Sequence, residues 1–351
     1  MSAWASPRAP TTASCAAFLP LRRLSPTTPW SCTGCAGVSC AGVASVTRAQ
    51  LSSADGIESA RNKSWRGEGF GGKETRLTTS ETETLELLSQ DPRRSGLFCD
   101  FDGTIAPIVR DPETSRPVPG ALGALHELAR NMAVVAVVSG RSAAFLADRL
   151  ELARYRSPLR AIGLHGLEEW APEGTLRLRP GLAAWRPTIE LVRAELLAAL
   201  PKGVRVEDKG YGITVHWRSA SATGGDLDAL AATASDIVGE IGASYGLLAR
   251  LGKASVELAP PLGIDKGVVV TELCEALDSA AYLGDDLGDL LAFRALDRFR
   301  SVPGFACVKI TVTSSEVPGE LLEEADLVLS GPSAAGRFLE VLSGRLRRSP
   351  G

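Results

Sequence analysis

From residue 82 onward, short apolar runs alternate with amphipathic stretches, and the alternation is regular enough to predict the elements. A short helix over 82–88 leads through the Asp91-Pro92 turn into Leu97-Phe98-Cys99, an apolar run that ends abruptly in Asp100-Phe101-Asp102-Gly103-Thr104. Leu122, Leu125 and Leu128 then fall at helical spacing within 120–131. A second apolar run, 133–138, stops at Ser139-Gly140-Arg141, and a helix is predicted over 143–150. Residues 160–166 read as a third strand, again ending at glycine. Strand, helix, strand and helix with short joins predict an α/β domain built on a doubly wound, mostly parallel, Rossmann-like sheet.

The rhythm changes after Pro180. An amphipathic helix is predicted over 185–200, strands over 204–207 and 212–217, a second helix over 226–241, and strands over 246–250 and 254–258. This αββαββ order fits a small α+β unit with helices on one face of its sheet. Pro260-Pro261 marks the return crossing, after which a helix over 268–277 and strands over 280–284, 305–312 and 325–329 resume the first pattern. The expected organisation is therefore a sheet core over 81–180 and 260–345, interrupted by a cap domain over 181–259.

Residues 1–80 break with all of this. No acidic residue occurs before Asp55, and Ser, Thr, Ala, Pro and Arg dominate, a transit-like composition for which disorder is the expectation. Cys32 and Cys35 have metal-ligand spacing, but no histidine or second CxxC pair accompanies them, which speaks against zinc. Cys99, Cys274 and Cys307 sit in apolar surroundings and suit a reducing, cytoplasmic setting. The 351-residue chain is 44% hydrophobic and 23% charged, as expected of a soluble globular protein. A net charge of −3 argues against nucleic acid as a partner. No apolar run approaches the roughly 20 residues that span a bilayer. A monomer acting on a small molecule is the working expectation.

Four polar clusters fall at predicted strand ends or helix starts: Asp100/Asp102, Ser139/Arg141, Lys266, and Asp285/Asp286/Asp289. Taken singly, each has a plain structural use, as a solvated Asp-Gly turn, a helix cap or a first-turn acid. In open α/β sheets, however, the carboxyl edge is where ligands bind. Two acids as close as Asp100 and Asp102 raise each other's pKa unless a cation lies between them, so the pair asks for a hard metal such as Mg²⁺. Together the clusters offer a nucleophile, a second acid, a metal site, a hydroxyl and cations, the inventory of phosphoryl transfer.

The order DxDGT, Ser, Lys and DD resembles that of the haloacid dehalogenase-like phosphatases. More narrowly, Asp100–Ile108, Val138–Arg141, Gly163–Glu168, Glu207–Lys209 with Val215–Arg218, Gly252–Glu257, Asp265–Gly267 and Gly284–Asp289 resemble the trehalose-6-phosphate phosphatase family over about residues 90 to 340. The resemblance implies a role for each position. Asp100 would be the nucleophile, Asp102 the general acid and base, and Ser139 and Lys266 the phosphoryl ligands. Mg²⁺ would be held by Asp100, the Asp102 carbonyl oxygen and Asp285, with Asp286 or Asp289 in support. Thr104, Arg141, His165, Glu168, Glu207, Lys209, Lys253 and Glu257 would surround a sugar phosphate.

Many family members carry Thr-Asp-Glu after the DD pair, where this chain has Gly288-Asp289-Leu290. His216, alternating with Val215 and Trp217, reads as structural, and His126 beside Glu127 as exposed. Two alternatives stay open at this point. One is a related phosphatase acting on sucrose or mannosyl phosphates; the other is a non-catalytic domain that binds sugar phosphate to regulate a partner.

Overall fold

The computed structural model describes residues 80–109, 111–217, 227–252, 254–313 and 317–348. The expectations for residues 1–79, including the CxxC pair, lie outside the described residues, as does Lys253.

The first helix, α1 (Glu81–Gln90), starts one residue earlier than its apolar pattern predicts because Ser80 caps it. The Ser80 hydroxyl receives the Glu83 amide, and the Glu83 carboxylate receives the Ser80 amide. Strand β1 (Ser95–Cys99) is buried along its whole length. It lies between β10 (Ser279–Gly284) and β2 (Val134–Val138), parallel to both. Beyond β10 come β11 (Ala306–Val312) and β12 (Leu327–Leu329); beyond β2 comes β3 (Arg160–Gly163), all parallel. Two short antiparallel strands that the sequence pattern did not suggest, β4 (Glu168–Trp170) and β5 (Leu176–Leu178), complete the eight-stranded sheet.

Alternate residues of the central strands feed opposite cores. Leu97, Cys99, Val135 and Val137 join one cluster, under α2 (Ala121–Asn131) and α10 (Pro332–Arg348). Phe98, Ala136 and Val138 join the other, under α7 (Lys266–Cys274) and α8 (Asp289–Arg300). A period of two with both faces apolar is what a doubly covered parallel sheet requires. The fold class is as expected. Helix α10, which the pattern reading passed over, seals the first cluster with Phe338, Leu339 and Leu342.

The inserted unit has its own antiparallel sheet, in the order β6 (Arg205–Asp208), β7 (Ile213–His216), β9 (Ser255–Ala259) and β8 (Leu248–Gly252). Helices α5 (Arg186–Ala199) and α6 (Leu227–Ser244) pack Ile189, Val192, Val238 and Ile241 against Ile213, Val215, Val256 and Leu258. The register aligns Glu207, Thr214, Glu257 and Arg250 in a single row across all four strands. Because Ile213 and Val215 point into the helices, Thr214 and this polar row take the opposite face. Among the described residues no helix is long and apolar enough to cross a membrane.

Candidate active site

The polar clusters meet at the carboxyl edge of the large sheet. Asp100 follows β1 directly, its amide still bonded to the Leu283 carbonyl of β10 at 2.9 Å. The chain then turns tightly, with the Ile105 and Ala106 amides both donating to the Phe101 carbonyl. Gly103 makes this turn with φ +81°, and any side chain there would strike the Asp285 carboxylate, so two reasons select glycine. Asp285 follows directly on β10, the neighbouring strand, and Lys266 opens α7 behind the Asp265 cap.

Lys266 is 2% exposed and sits 2.8 Å from Asp100 Oδ2 and 2.7 Å from Asp289 Oδ1. Burial alone would depress its pKa, but the Asp100 and Asp289 carboxylates hold it well above its ordinary value. Asp289 is saturated. Its Oδ1 accepts from Lys266 Nζ and Tyr282 Oη, both at 2.7 Å. Its Oδ2 accepts from the Asp285 and Asp286 amides at 2.9 and 3.1 Å. Four donors fill the four acceptor sites of a carboxylate, so Asp289 anchors the loop and the lysine.

Among the described residues, Asp100, Asp286 and Asp289 offer oxygens within 4.8 Å of one another. Asp285 lies beside them, fixed by Thr104 Oγ1 at 2.9 Å. Burial, reinforced by the charges of Asp100, Asp289 and Asp286, pushes its carboxyl up to about 9. Crowded carboxylates with an all-oxygen donor set are the chemistry of a hard divalent cation, which would relieve this repulsion. The residues present fit such an ion.

The loop that carries Ser139 and Arg141 follows β2. Ser139 is almost fully buried, and its carbonyl receives the His165 amide at 2.9 Å while the Arg141 carbonyl receives Leu164 at 2.8 Å. Leu164, His165 and Gly166 all have positive φ, at +49°, +56° and +115°. A side chain at Gly140 would collide with the His165 ring, which accounts for glycine between Ser139 and Arg141. Arg179 secures the turn, donating to the Gly166 carbonyl at 2.9 Å while pairing with both oxygens of Glu272.

The cap reaches this loop through Lys209, whose Nζ donates to the Gly140 carbonyl at 3.0 Å and to Glu257 at 2.8 Å. His165 Nε2 lies 3.4 Å from Glu257 and Arg250 lies 3.7 Å from it. Burial would raise the Glu257 pKa, yet Lys209 and His165 hold it well below the usual carboxylate range. Glu207 receives His216 Nε2 at 2.7 Å, so His216 positions a site residue. An open cavity of about 350 Å³ lies at this seam, lined by Arg141 and Phe145 on one side and Glu207 and Lys209 on the other.

A family model for trehalose-phosphatase matches residues 98–326. The chain belongs to the trehalose-phosphatase family. It is 33% identical over 275 residues to the trehalose-phosphate phosphatase of Mycobacterium bovis, covering 74% of this chain and 63% of that protein. The chain thus spans about 63% of the length of the curated relatives it matches. The C-terminal domain of trehalose-6-phosphate phosphatase from C. albicans superposes with a TM-score of 0.59 at 21% identity, over 78% of this chain and 99% of that one. A trehalose-6-phosphate phosphatase related protein superposes with a TM-score of 0.56 at 22% identity, over 71% and 97%. These likenesses agree on the fold.

Within this trehalose-phosphatase fold, several expected positions take different parts from those expected. Thr104 is fully buried and donates to Asp285, so it braces the acidic cluster. Glu168 is 4% exposed and accepts the Ala143 amide at the start of α3 (Ala143–Arg149), the role of a helix cap. Burial raises its pKa. The Asp102 side chain stays out of the acidic group and is gripped by Arg141 and Ser115. Arg141 therefore bears on the second acid. His126 is buried, not exposed: Nε2 lies 2.7 Å from the Leu150 carbonyl, Nδ1 meets Ser157, and the ring stacks on Tyr155. Arg250, Tyr282 and Ser115 join the site without belonging to any of its sequence motifs. Arg250 had a readable signal, its place on a strand predicted to pair with that of Glu257.

Proposed function

We propose that this chain is a divalent-metal-dependent phosphomonoesterase that converts trehalose 6-phosphate to trehalose and phosphate. The observation that supports it most is the buried Lys266–Asp100 contact of 2.8 Å at the sheet edge, with Asp285, Asp286 and Asp289 around it. In this reading an Asp100 carboxylate oxygen bonds to phosphorus as the bond from phosphorus to the sugar oxygen breaks. The electron pair stays on that oxygen, which takes a proton from Asp102. Water then attacks the aspartyl phosphate, its proton passes to Asp102, and phosphate leaves as the Asp100 carboxylate is restored.

Lys266 and Ser139 offset the charge on the non-bridging oxygens without moving, since both are buried and held. Asp100, Asp285, Asp286 and the Asp102 carbonyl would hold a Mg²⁺ ion, which would supply further charge neutralisation at the phosphoryl group. The polar row of the cap, with Lys209 and His165, recognises the sugar hydroxyls through charge-assisted hydrogen bonds and keeps bulk water away.

The test is phosphate release from trehalose 6-phosphate, sucrose phosphate and mannosyl phosphates, each with Mg²⁺ and after chelation. Release that favours trehalose 6-phosphate and stops on chelation is expected. Preference for another sugar would reassign the substrate. Binding with no release from any of them would overturn the enzyme reading.

A further inference from the structure

We infer that Ser115 is a positioning residue that selects which oxygen of Asp102 exchanges its proton with the departing sugar; the inference rests on the phosphomonoesterase reading above. Ser115 has no solvent exposure, and its Oγ donates to Asp102 Oδ1 at 2.8 Å. Arg141 Nη2 donates to the same oxygen at 3.1 Å, whereas among the described residues Oδ2 receives only Arg141 Nε, at 2.6 Å. A carboxylate has about four acceptor sites. Two donors fill Oδ1 and one occupies Oδ2, which leaves the single open site on Oδ2. A proton on Oδ1 would either displace Arg141 or point at Ser115, whose hydroxyl would turn to accept it, and in both cases it would face away from a substrate; a proton on Oδ2 displaces neither donor and occupies the open site.

The serine is itself fixed. It ends a short turn, Pro112–Thr114, that the Asp111 side chain caps through the Glu113 amide, and its own amide bonds to the Pro112 carbonyl at 3.3 Å. Arg149, from α3, holds the Glu113 carbonyl. Pro117, two residues on, restricts the backbone further. Removing the hydroxyl would leave Arg141 as the sole holder of Asp102 and let the carboxyl group turn about that contact.

When the bond from phosphorus to oxygen breaks, the sugar oxygen takes the electron pair and the Oδ2 proton, and Asp102 becomes a carboxylate. A sugar alkoxide is a poor leaving group and needs that proton. A nitrophenolate leaves without it. The experiment therefore compares kcat/KM, which covers only the steps through the first irreversible one, for trehalose 6-phosphate and para-nitrophenyl phosphate in wild type, Ser115→Ala and Ser115→Cys. Ser115→Ala is expected to lose roughly 10- to 100-fold on the sugar phosphate, the scale of a misplaced acid, and less than about twofold on the aryl ester. Ser115→Cys, keeping a weak donor, should fall between the two. Equal losses on both substrates, or no loss on trehalose 6-phosphate, would overturn the assignment of Ser115 while leaving the phosphatase reading intact. A wild-type protein that cleaves neither substrate would instead sink the phosphatase reading, and the assignment with it. Thermal melts of the variants separate a folding defect from both.

Discussion

The floor and the roof of the site are built on different principles. On the floor, Asp289 is wholly buried with four donors on its two oxygens, and Lys266 spans it and Asp100. Each of these groups is held by the end of a different buried strand or helix, so none can move without unpairing another. In the roof, Glu257 faces Lys209, His165 and Arg250 at distances from 2.8 to 3.7 Å, and their side chains are 10 to 33% exposed. A rigid floor suits charge that develops at one phosphorus atom. A looser roof suits hydroxyls that vary from sugar to sugar. The division predicts that floor substitutions abolish turnover on every phosphate ester, whereas roof substitutions discriminate among them.

The sharpest way to break that division is Asp100→Asn. Loss of at least about 10⁴-fold in phosphate release on both trehalose 6-phosphate and para-nitrophenyl phosphate is expected, with a melt close to that of wild type. Lys266→Met comes next and should cost both function and fold. It strands Asp100 and Asp289 without a cation in a buried setting, and removing one partner of a buried ion pair destabilises by about 3–5 kcal/mol. Denaturant midpoints measure this, and an unchanged midpoint would show that Lys266 is not integral to the floor. In the roof, Glu257→Ala should raise KM for trehalose 6-phosphate by about 10- to 100-fold, equivalent to about 1.5–3 kcal/mol for a charged hydrogen bond. KM for para-nitrophenyl phosphate should stay nearly constant. A parallel rise on both substrates would move Glu257 from the roof to the floor.

The same division explains what could be read from the sequence. Floor residues end short apolar runs, so Asp100, Ser139 and Asp285 mark the sheet edge in the sequence itself. Each such acid alone could be a turn or a cap, and it is the repetition at several strand ends that points to a shared site. Glu207, Arg250 and Glu257 lie on strands of four or five residues, too short for alternation to declare a face. The row joining Glu207 to Glu257 exists only through strand register across fifty positions of sequence. The motifs that hold Thr104 and Glu168 carry no record of how deeply either side chain is buried. Ser115 sits in an irregular, proline-flanked stretch where no periodicity operates. His126 was misread for a related reason: the helix pattern marks Leu125 and Leu128 as inward but says nothing of residues 150–157, which fold back over the adjoining face.

That histidine supplies the mildest prediction and a control for the others, because its contacts are Ser157, Leu150 and Tyr155 and include no residue of the proposed site. Burial lowers its pKa below 6.5, so the folded protein keeps it neutral where the unfolded chain takes up a proton. A group of this kind contributes stability that is present above the unfolded value and is lost as pH falls below about 6.5. One proton sets the limit at about 1.4 kcal/mol per pH unit. Urea midpoints at pH 7.5 and 5.5 should therefore fall further for wild type than for His126→Gln, while kcat at pH 7.5 stays near that of wild type in the variant. Equal falls in the two proteins would mean that the ring accommodates the charge in place. A collapse of kcat would mean that this part of the core reaches the floor of the site, and the separation between holding the fold and doing the chemistry would have to be redrawn around α2.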